Sequence, residues 1–179
     1  MTTWLSALPR KQFSLASGAH LFHRGDQIRA MFLVETGGIM LVRCSDAGAS
    51  LVLQRASAGA IVAEASLFAT TYHCDALATA DTIVAAMPRA DFLRRLDSSS
   101  EFARAWAMHL SHEVRNARRH AEILSLRTVA ARLDAWLAEN GDLPARGGWK
   151  GLAEEISASP EALYREIARR RVGKRRRLL

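Results

Sequence analysis

Residues 149–170 read Trp149-Lys150-Gly151-Leu152-Ala153-Glu154-Glu155-Ile156-Ser157-Ala158-Ser159-Pro160-Glu161-Ala162-Leu163-Tyr164-Arg165-Glu166-Ile167-Ala168-Arg169-Arg170. Leu152, Ala153 and Ile156, and then Leu163 and Ile167, have the spacing of two helices that pack face to face, and the small Ala153 lets them cross closely. Ser157-Ala158-Ser159 between them forms a tight turn. Ser159 is a natural N-cap, Pro160 suits a first helical turn where its missing N–H costs nothing, and Glu161 favours the positive end of the helix dipole. The pattern predicts helix, turn, helix, with the second helix over 160–170.

Such a unit leaves Glu161, Tyr164, Arg165 and Arg169 near the outer face of a helix narrow enough for the major groove of DNA. Arginine can donate to both acceptors of a guanine edge, and glutamate can accept from a cytosine amino group. Glu161 and Arg165, one turn apart and preceded by Ser159, therefore form a candidate reading pair. Arg169, Arg170, Arg171, Lys174, Arg175, Arg176 and Arg177 are expected mostly to meet phosphate. The charge distribution agrees: the net charge is +7, and residues 145–179 carry 10 Lys/Arg against 4 Asp/Glu whereas residues 1–100 carry 9 against 8. That asymmetry points to a polyanion partner, and the helix-turn-helix reading makes it double-stranded DNA.

Working upstream, residues 128–139 form an amphipathic helix with Val129, Leu133, Trp136 and Leu137 on one face, closed by Asn140-Gly141. Ser98-Ser99-Ser100-Glu101 opens a long helix that runs to about Leu124. Phe102, Trp106, Leu110, Val114, Ala117, Ala121 and Leu124 follow at intervals of three or four and give a narrow apolar stripe. The stripe is longer than one small domain covers, which predicts a homodimer seam through Phe102, Trp106, Leu110 and Ala117. From residue 18 to about 87, short β-type runs at 19–23, 31–35, 39–43, 50–54, 60–63, 76–78 and 82–86 alternate with turns at Gly25-Asp26, Gly37-Gly38, Asp46-Ala47-Gly48 and Gly59. Turns at this spacing mean an antiparallel sandwich or barrel. The expected organisation is α+β: an effector domain over 1–97, a dimerisation helix over 98–124 and a helix-turn-helix DNA-binding domain over 125–179.

This order of elements resembles the CRP/FNR family of bacterial transcription regulators over about residues 13–171. In the β-roll the resemblance rests on Phe22-His23-Arg24-Gly25-Asp26, Phe32-Leu33-Val34-Glu35-Thr36-Gly37, Gly48, Gly59 and Glu64-Ala65-Ser66-Leu67-Phe68. At the hinge it rests on Ser125-Leu126-Arg127-Thr128-Val129-Ala130-Ala131-Arg132-Leu133. In the DNA module it rests on Leu152-Ala153-Glu154-Glu155-Ile156 and on Ser159, Glu161 and Arg165. It implies a jelly-roll-like double-stranded β-roll, a dimeric DNA-binding regulator, and RNA polymerase as a further partner. The family's two-stranded wing after the recognition helix needs about 20 residues, and only Val172 to Leu179 follow, so a reduced or absent wing is expected. The competing expectation is a ligand-, metal- or redox-sensing module whose DNA binding is weakened by that loss.

Members of the family that bind cyclic AMP carry Phe-Gly-Glu followed by Arg-Ser or Arg-Thr, the arginine holding the cyclic phosphate. Here Val62-Ala63-Glu64 keeps only the glutamate, and Tyr72-His73 falls where Arg-Ser is expected. Losing a charge-assisted contact to a buried anion costs roughly 1.5 to 3 kcal/mol. The effector is therefore expected not to be a cyclic nucleotide, and the candidate pocket is Glu64, Tyr72, His73 and Cys74. His73 and Cys74 are metal- and redox-capable, but neighbouring strand residues point to opposite faces. His109, His112 and Glu113 sit among Arg115, Arg118 and Arg119, which repel a cation. No cysteine precedes Phe13, so no N-terminal iron–sulfur group is expected. No metal ligand set is assigned, and no cofactor follows from the residues.

With 49% hydrophobic and 24% charged residues among 179, the composition is that of a soluble globular protein. No apolar run approaches the roughly 20 residues of a membrane helix, and residues 1–10 lack the apolar stretch of a signal peptide, so a cytoplasmic protein with no membrane partner is expected. Cys44 and Cys74 are expected as thiols. No Ser/His/Asp arrangement, phosphate-binding loop or paired acids in a cleft is evident, so no enzymatic activity is expected.

Overall fold

Strand-forming runs broken by glycine turns can bury their apolar sides only by stacking one sheet on another. The computed structural model describes residues 3–5, 7–44 and 50–176, with the backbone alone at 3, 50 and 172–176. The strands are β1 (Lys11–Leu15), β2 (His20–Phe22), β3 (Ala30–Thr36), β4 (Gly38–Cys44), β5 (Ser50–Ser57), β6 (Ile61–Val62), β7 (Asp75–Ala78) and β8 (Thr82–Pro88). They pair antiparallel in two sheets of four, β1-β8-β3-β6 and β2-β7-β4-β5. Met31, Val34, Ile39, Ile61, Val62, Val84 and Met87 are buried in the shared core. The antiparallel roll expected from the sequence is thus the fold of this part. The expected turn at Asp46-Ala47-Gly48 lies outside the described residues.

The helices are α1 (Arg89–Ser98), α2 (Ser100–Ser125), α3 (Val129–Asn140), α4 (Trp149–Glu155) and α5 (Pro160–Arg176). The chain divides into two compact units, Met1–Leu110 and Ser111–Leu179. In the first, α1 buries Phe92, whose ring meets Phe102 at 5.1 Å and Trp106 at 4.9 Å edge-on. Trp4 joins them, 5.0 Å from Phe102. Phe102 and Trp106 are each only 4% exposed. The start of the stripe is thus packed into its own domain's aromatic core. Leu110 also packs against that core. Val114, 48% exposed, and Ala117 are the open part of the stripe.

Two elements escaped the sequence reading. β1 is mostly exposed and shows no alternating pattern, so only its pairing with β8 makes it a strand. α1 occupies the stretch between the last predicted strand and the predicted long helix. Ser98 closes α1, and Ser99 starts α2 by accepting from the Phe102 N–H at 3.2 Å.

In the second unit Thr128 caps α3, its hydroxyl accepting from the Ala131 N–H at 3.1 Å. Trp149, Leu152, Ala153 and Ile156 of the α4 segment and Leu163 and Ile167 of α5 share one core with Ile123, Leu133 and Trp136. α5 continues as helix to Arg176, through residues where the family resemblance would place the start of a wing.

Gly37, at φ 78°, stands at the tight β3–β4 connection. A Cβ there would lie 2.5 Å from the Asp81 carbonyl and 2.8 Å from Thr82 Cα, whereas one at Gly59, φ 89°, would meet nothing within 4 Å. Gly59→Ala carries only the left-handed penalty of about 1 to 2 kcal/mol. Gly37→Ala adds a backbone collision and is expected to cost clearly more; urea unfolding of the two variants side by side measures the difference.

Candidate nucleic-acid interface and effector region

The α4–turn–α5 geometry follows from backbone groups that helix ends leave unpaired. Ser157 adopts φ 48°, and the Ala158 N–H donates back to the Ala153 carbonyl at 2.8 Å, which closes α4 and reverses the chain. Ser159 then caps α5, its hydroxyl accepting from the Ala162 N–H at 3.2 Å. Leu163 and Ile167 face inward at 0% and 2% exposure. Glu161, Tyr164, Arg165 and Arg169 are exposed on the opposite side. The Glu161 carboxyl is held below the ordinary carboxylate range by its own backbone N–H, then by the Ser159 hydroxyl and by Arg165. Tyr164 leans on the ring of Trp149, 5.6 Å away, and the Arg171 guanidinium lies over the same ring at 5.2 Å.

The other arginines of α5 divide by role. Arg169 makes a bidentate pair with Glu166 at 2.8 Å while its side chain stays 70% exposed. Arg170 donates to Glu166 at 2.7 Å, to Asp134 at 2.6 Å and to the Ala130 carbonyl at 2.9 Å. Its geometry is that of a strut between α5 and α3. The side chains of 172–176 and residues 177–179 lie outside the described residues. A shallow groove between the start of α3 and α5 is lined by Thr128, Val129, Ala162, Arg165, Glu166 and Arg169.

Arg132 of α3 was not singled out from the sequence. Its guanidinium donates to the carbonyls of Leu126 (2.7 Å), Leu124 (3.2 Å), Ile156 (3.2 Å) and Ser157 (2.8 Å). One planar fork thus serves the end of α2 and the turn of the helix pair.

In the β-roll, Ala63 holds φ 77°, a conformation that favours glycine, immediately before a 3-10 turn at Glu64–Ser66. The turn therefore persists although glycine is replaced. The four residues expected in one effector pocket go different ways. Tyr72, 4% exposed, stacks on Phe22 at 3.7 Å and donates to the Ala30 carbonyl at 3.0 Å; burial pushes its phenol up to about 12. It lines a groove with Phe22, Asp26, Arg29 and Phe32. Cys74 is buried, and burial raises its thiol above the ordinary range despite Arg43, with Asp75 and Glu64 adding to the rise. A thiol held protonated is a poor nucleophile and a poor soft-metal ligand. His73 is exposed, its Nδ1 3.2 Å from the Ser66 hydroxyl, and burial followed by Arg43 holds its imidazole below the ordinary range. Glu64 is half-buried.

Arg43 is a residue the sequence reading missed. From β4 it donates to the His73 carbonyl through Nε at 3.3 Å and a terminal nitrogen at 3.2 Å. It is the one charged residue of that strand, and that was the available signal.

The Glu166 strut generates a pH dependence. Two guanidiniums hold this carboxyl down, to about 2 from an ordinary 4.5, with Arg169 the larger cause. A group depressed in the folded state contributes stability above its unfolded pKa and loses it as pH falls through the folded one. Its contribution is expected to be complete above about pH 4.5 and to disappear toward pH 2. Urea unfolding across that window, followed by tryptophan fluorescence, should show a slope that Glu166→Gln reduces.

The model of the cyclic nucleotide-binding domain matches residues 12–99. No curated protein matches the chain. Among solved structures, FixK2 from Bradyrhizobium japonicum is similar at 17% identity with a TM-score of 0.77, covering 93% of this chain and 87% of its own. The c-di-GMP responsive global regulator CLP from Xanthomonas campestris is similar at 18% identity and a TM-score of 0.69, covering 92% and 88%. A CRP-family transcriptional regulator from Thermus thermophilus gives 20% identity and a TM-score of 0.65, covering 91% and 85%. Residues 12–99 are thus similar to the cyclic nucleotide-binding domain, and the chain shares its fold with solved transcription regulators of the CRP type.

Proposed function

We propose that this chain is a homodimeric DNA-binding transcription regulator that reads a two-fold site with α5 and whose effector is not a cyclic nucleotide. The observation that carries the reading is the capped α5 with Glu161, Tyr164 and Arg165 exposed opposite a buried Leu163 and Ile167. A reading helix needs that division: one face fixes it to its domain and the other is free for base edges. Arg165 and the positive end of α3 border one groove, in which the Glu166 carboxylate is covered by Arg169. Against a cyclic nucleotide stands the segment that replaces the family's Arg-Ser: Tyr72 is committed to Phe22 and Ala30, and Arg43 is bonded to the His73 carbonyl. RNA polymerase is the further partner of a regulator of this kind.

Arg165→Ala is expected to cost about 1 to 3 kcal/mol on a selected duplex and to relax preference at one base pair per half-site, while Arg171→Ala weakens all duplexes alike. Equilibrium titration of both variants against selected and scrambled duplexes decides it. An unchanged specificity ratio in Arg165→Ala removes α5 as the reader and favours a module with weakened DNA binding.

The second expectation concerns assembly. Val114 is 48% exposed, so Val114→Glu leaves the domain cores intact while charging the open part of the α2 stripe. Sedimentation at micromolar concentration should give a dimer for the native chain and a monomer for the variant, with unchanged circular dichroism. A native monomer contradicts the seam.

A further inference from the structure

Two imidazoles and a carboxylate meet on the outer side of the β2–β7 pair, a place unused by the proposed regulator mechanism. His20, His23 and Asp75 each offer a ligand atom, and these atoms all lie within 4.8 Å of one another. Among the described residues this is the one group of three His, Cys, Asp or Glu side chains that converges so closely. From this we propose that His20, His23 and Asp75 form a binding site for a divalent transition cation, with zinc as the representative ion.

The geometry suits such an ion. His23 Nδ1 stands 3.4 Å from Asp75 Oδ1. Two ligands at about 2.0 to 2.1 Å from a tetrahedral zinc subtend roughly this separation. The His20 and His23 rings stack with centroids 4.2 Å apart and planes 28° from parallel, and a nitrogen of the exposed His20 ring lies within 4.8 Å of the other two ligand atoms. Solvent supplies the remaining coordination. Two imidazoles with one carboxylate select zinc, nickel, cobalt or copper over magnesium and calcium, which take oxygen ligands.

The backbone around the site is already stitched in place. Asp75 Oδ1 accepts from the Arg24 N–H at 3.1 Å, and Asp26 Oδ2 accepts from the His23 N–H at 2.9 Å. The Gly25 N–H donates to the Tyr72 carbonyl and the Tyr72 N–H to the Asp26 carbonyl, each at 2.9 Å. The turn carrying His23 and the segment leading into Asp75 are therefore fastened to each other without any ion. A ligand set held in this way loses little conformational freedom on binding.

Zinc titration of the full-length chain by calorimetry tests the proposal, with cobalt absorption as a second readout. The native chain should take up one zinc ion at micromolar affinity. His20→Ala, His23→Ala and Asp75→Asn should each lose tenfold or more, the loss that even an outer-shell partner can cause. His112→Ala and Cys44→Ser should bind as the native chain does, and the cobalt form should lack thiolate charge-transfer absorption. Equal thermal melting of the metal-free variants keeps misfolding apart from lost ligation, and His23→Gln provides a conservative replacement. Absence of zinc uptake, uptake unchanged in His23→Ala and His23→Gln, or uptake abolished by Cys44→Ser would each overturn the proposal.

Discussion

Four carbonyl oxygens that helix termini leave without partners converge on the guanidinium of Arg132. Leu124 and Leu126 belong to the end of α2 and the connection after it, and Ile156 and Ser157 to the turn between α4 and α5. Each carbonyl would otherwise need water, and two helix C-termini would face each other with like partial charge. One permanently charged planar fork satisfies both. A lysine ammonium cannot donate along so many fixed directions. The angle at which α5 leaves the turn thus rests on a side chain of α3.

Around that junction the charges of α5 are sorted by neighbourhood. Where Glu166 and Asp134 stand within reach, Arg170 is drawn inward and couples α5 to α3. Arg165 lies on the outer side with Glu161 and Tyr164. A basic stretch is therefore not one undifferentiated charged surface, because some of its arginines are spent on contacts within the domain. The β-roll shows the same economy. The Phe22–Tyr72 stack and the Tyr72–Ala30 hydrogen bond occupy side chains that sequence position alone would assign to a ligand.

The α4–turn–α5 pair was legible because its determinants are local: Ser159, Pro160 and the spacing of Leu152, Ile156, Leu163 and Ile167 all lie within one short stretch. The glycine-punctuated roll was legible for the same reason. β1 was not, because its strand character comes from β8, some seventy residues later in the chain. α1 is short, and its apolar Phe92, Leu93 and Leu96 were overshadowed by the serine cluster that follows. Arg43 and the His20–His23–Asp75 group share a different obstacle. Pairing of β4 with β7 brings Arg43 to His73, and pairing of β2 with β7 brings the segment of His20 and His23 to Asp75, positions about 50 apart in the chain. The stripe on α2 was read correctly as apolar, but periodicity does not distinguish a face buried at home from one left for a partner. Phe102 and Trp106 are buried in their own domain, and Val114 is exposed.

The central claim is that α5 reads base sequence as part of a symmetric pair. Selection of bound duplexes from a random pool by the native chain, repeated at rising salt, tests it most directly. A reader of this type enriches an inverted repeat with half-sites about 34 Å apart and keeps its preference over scrambled duplexes as the phosphate contacts are screened. A pool that stays random, with all binding lost together as salt rises, would contradict it.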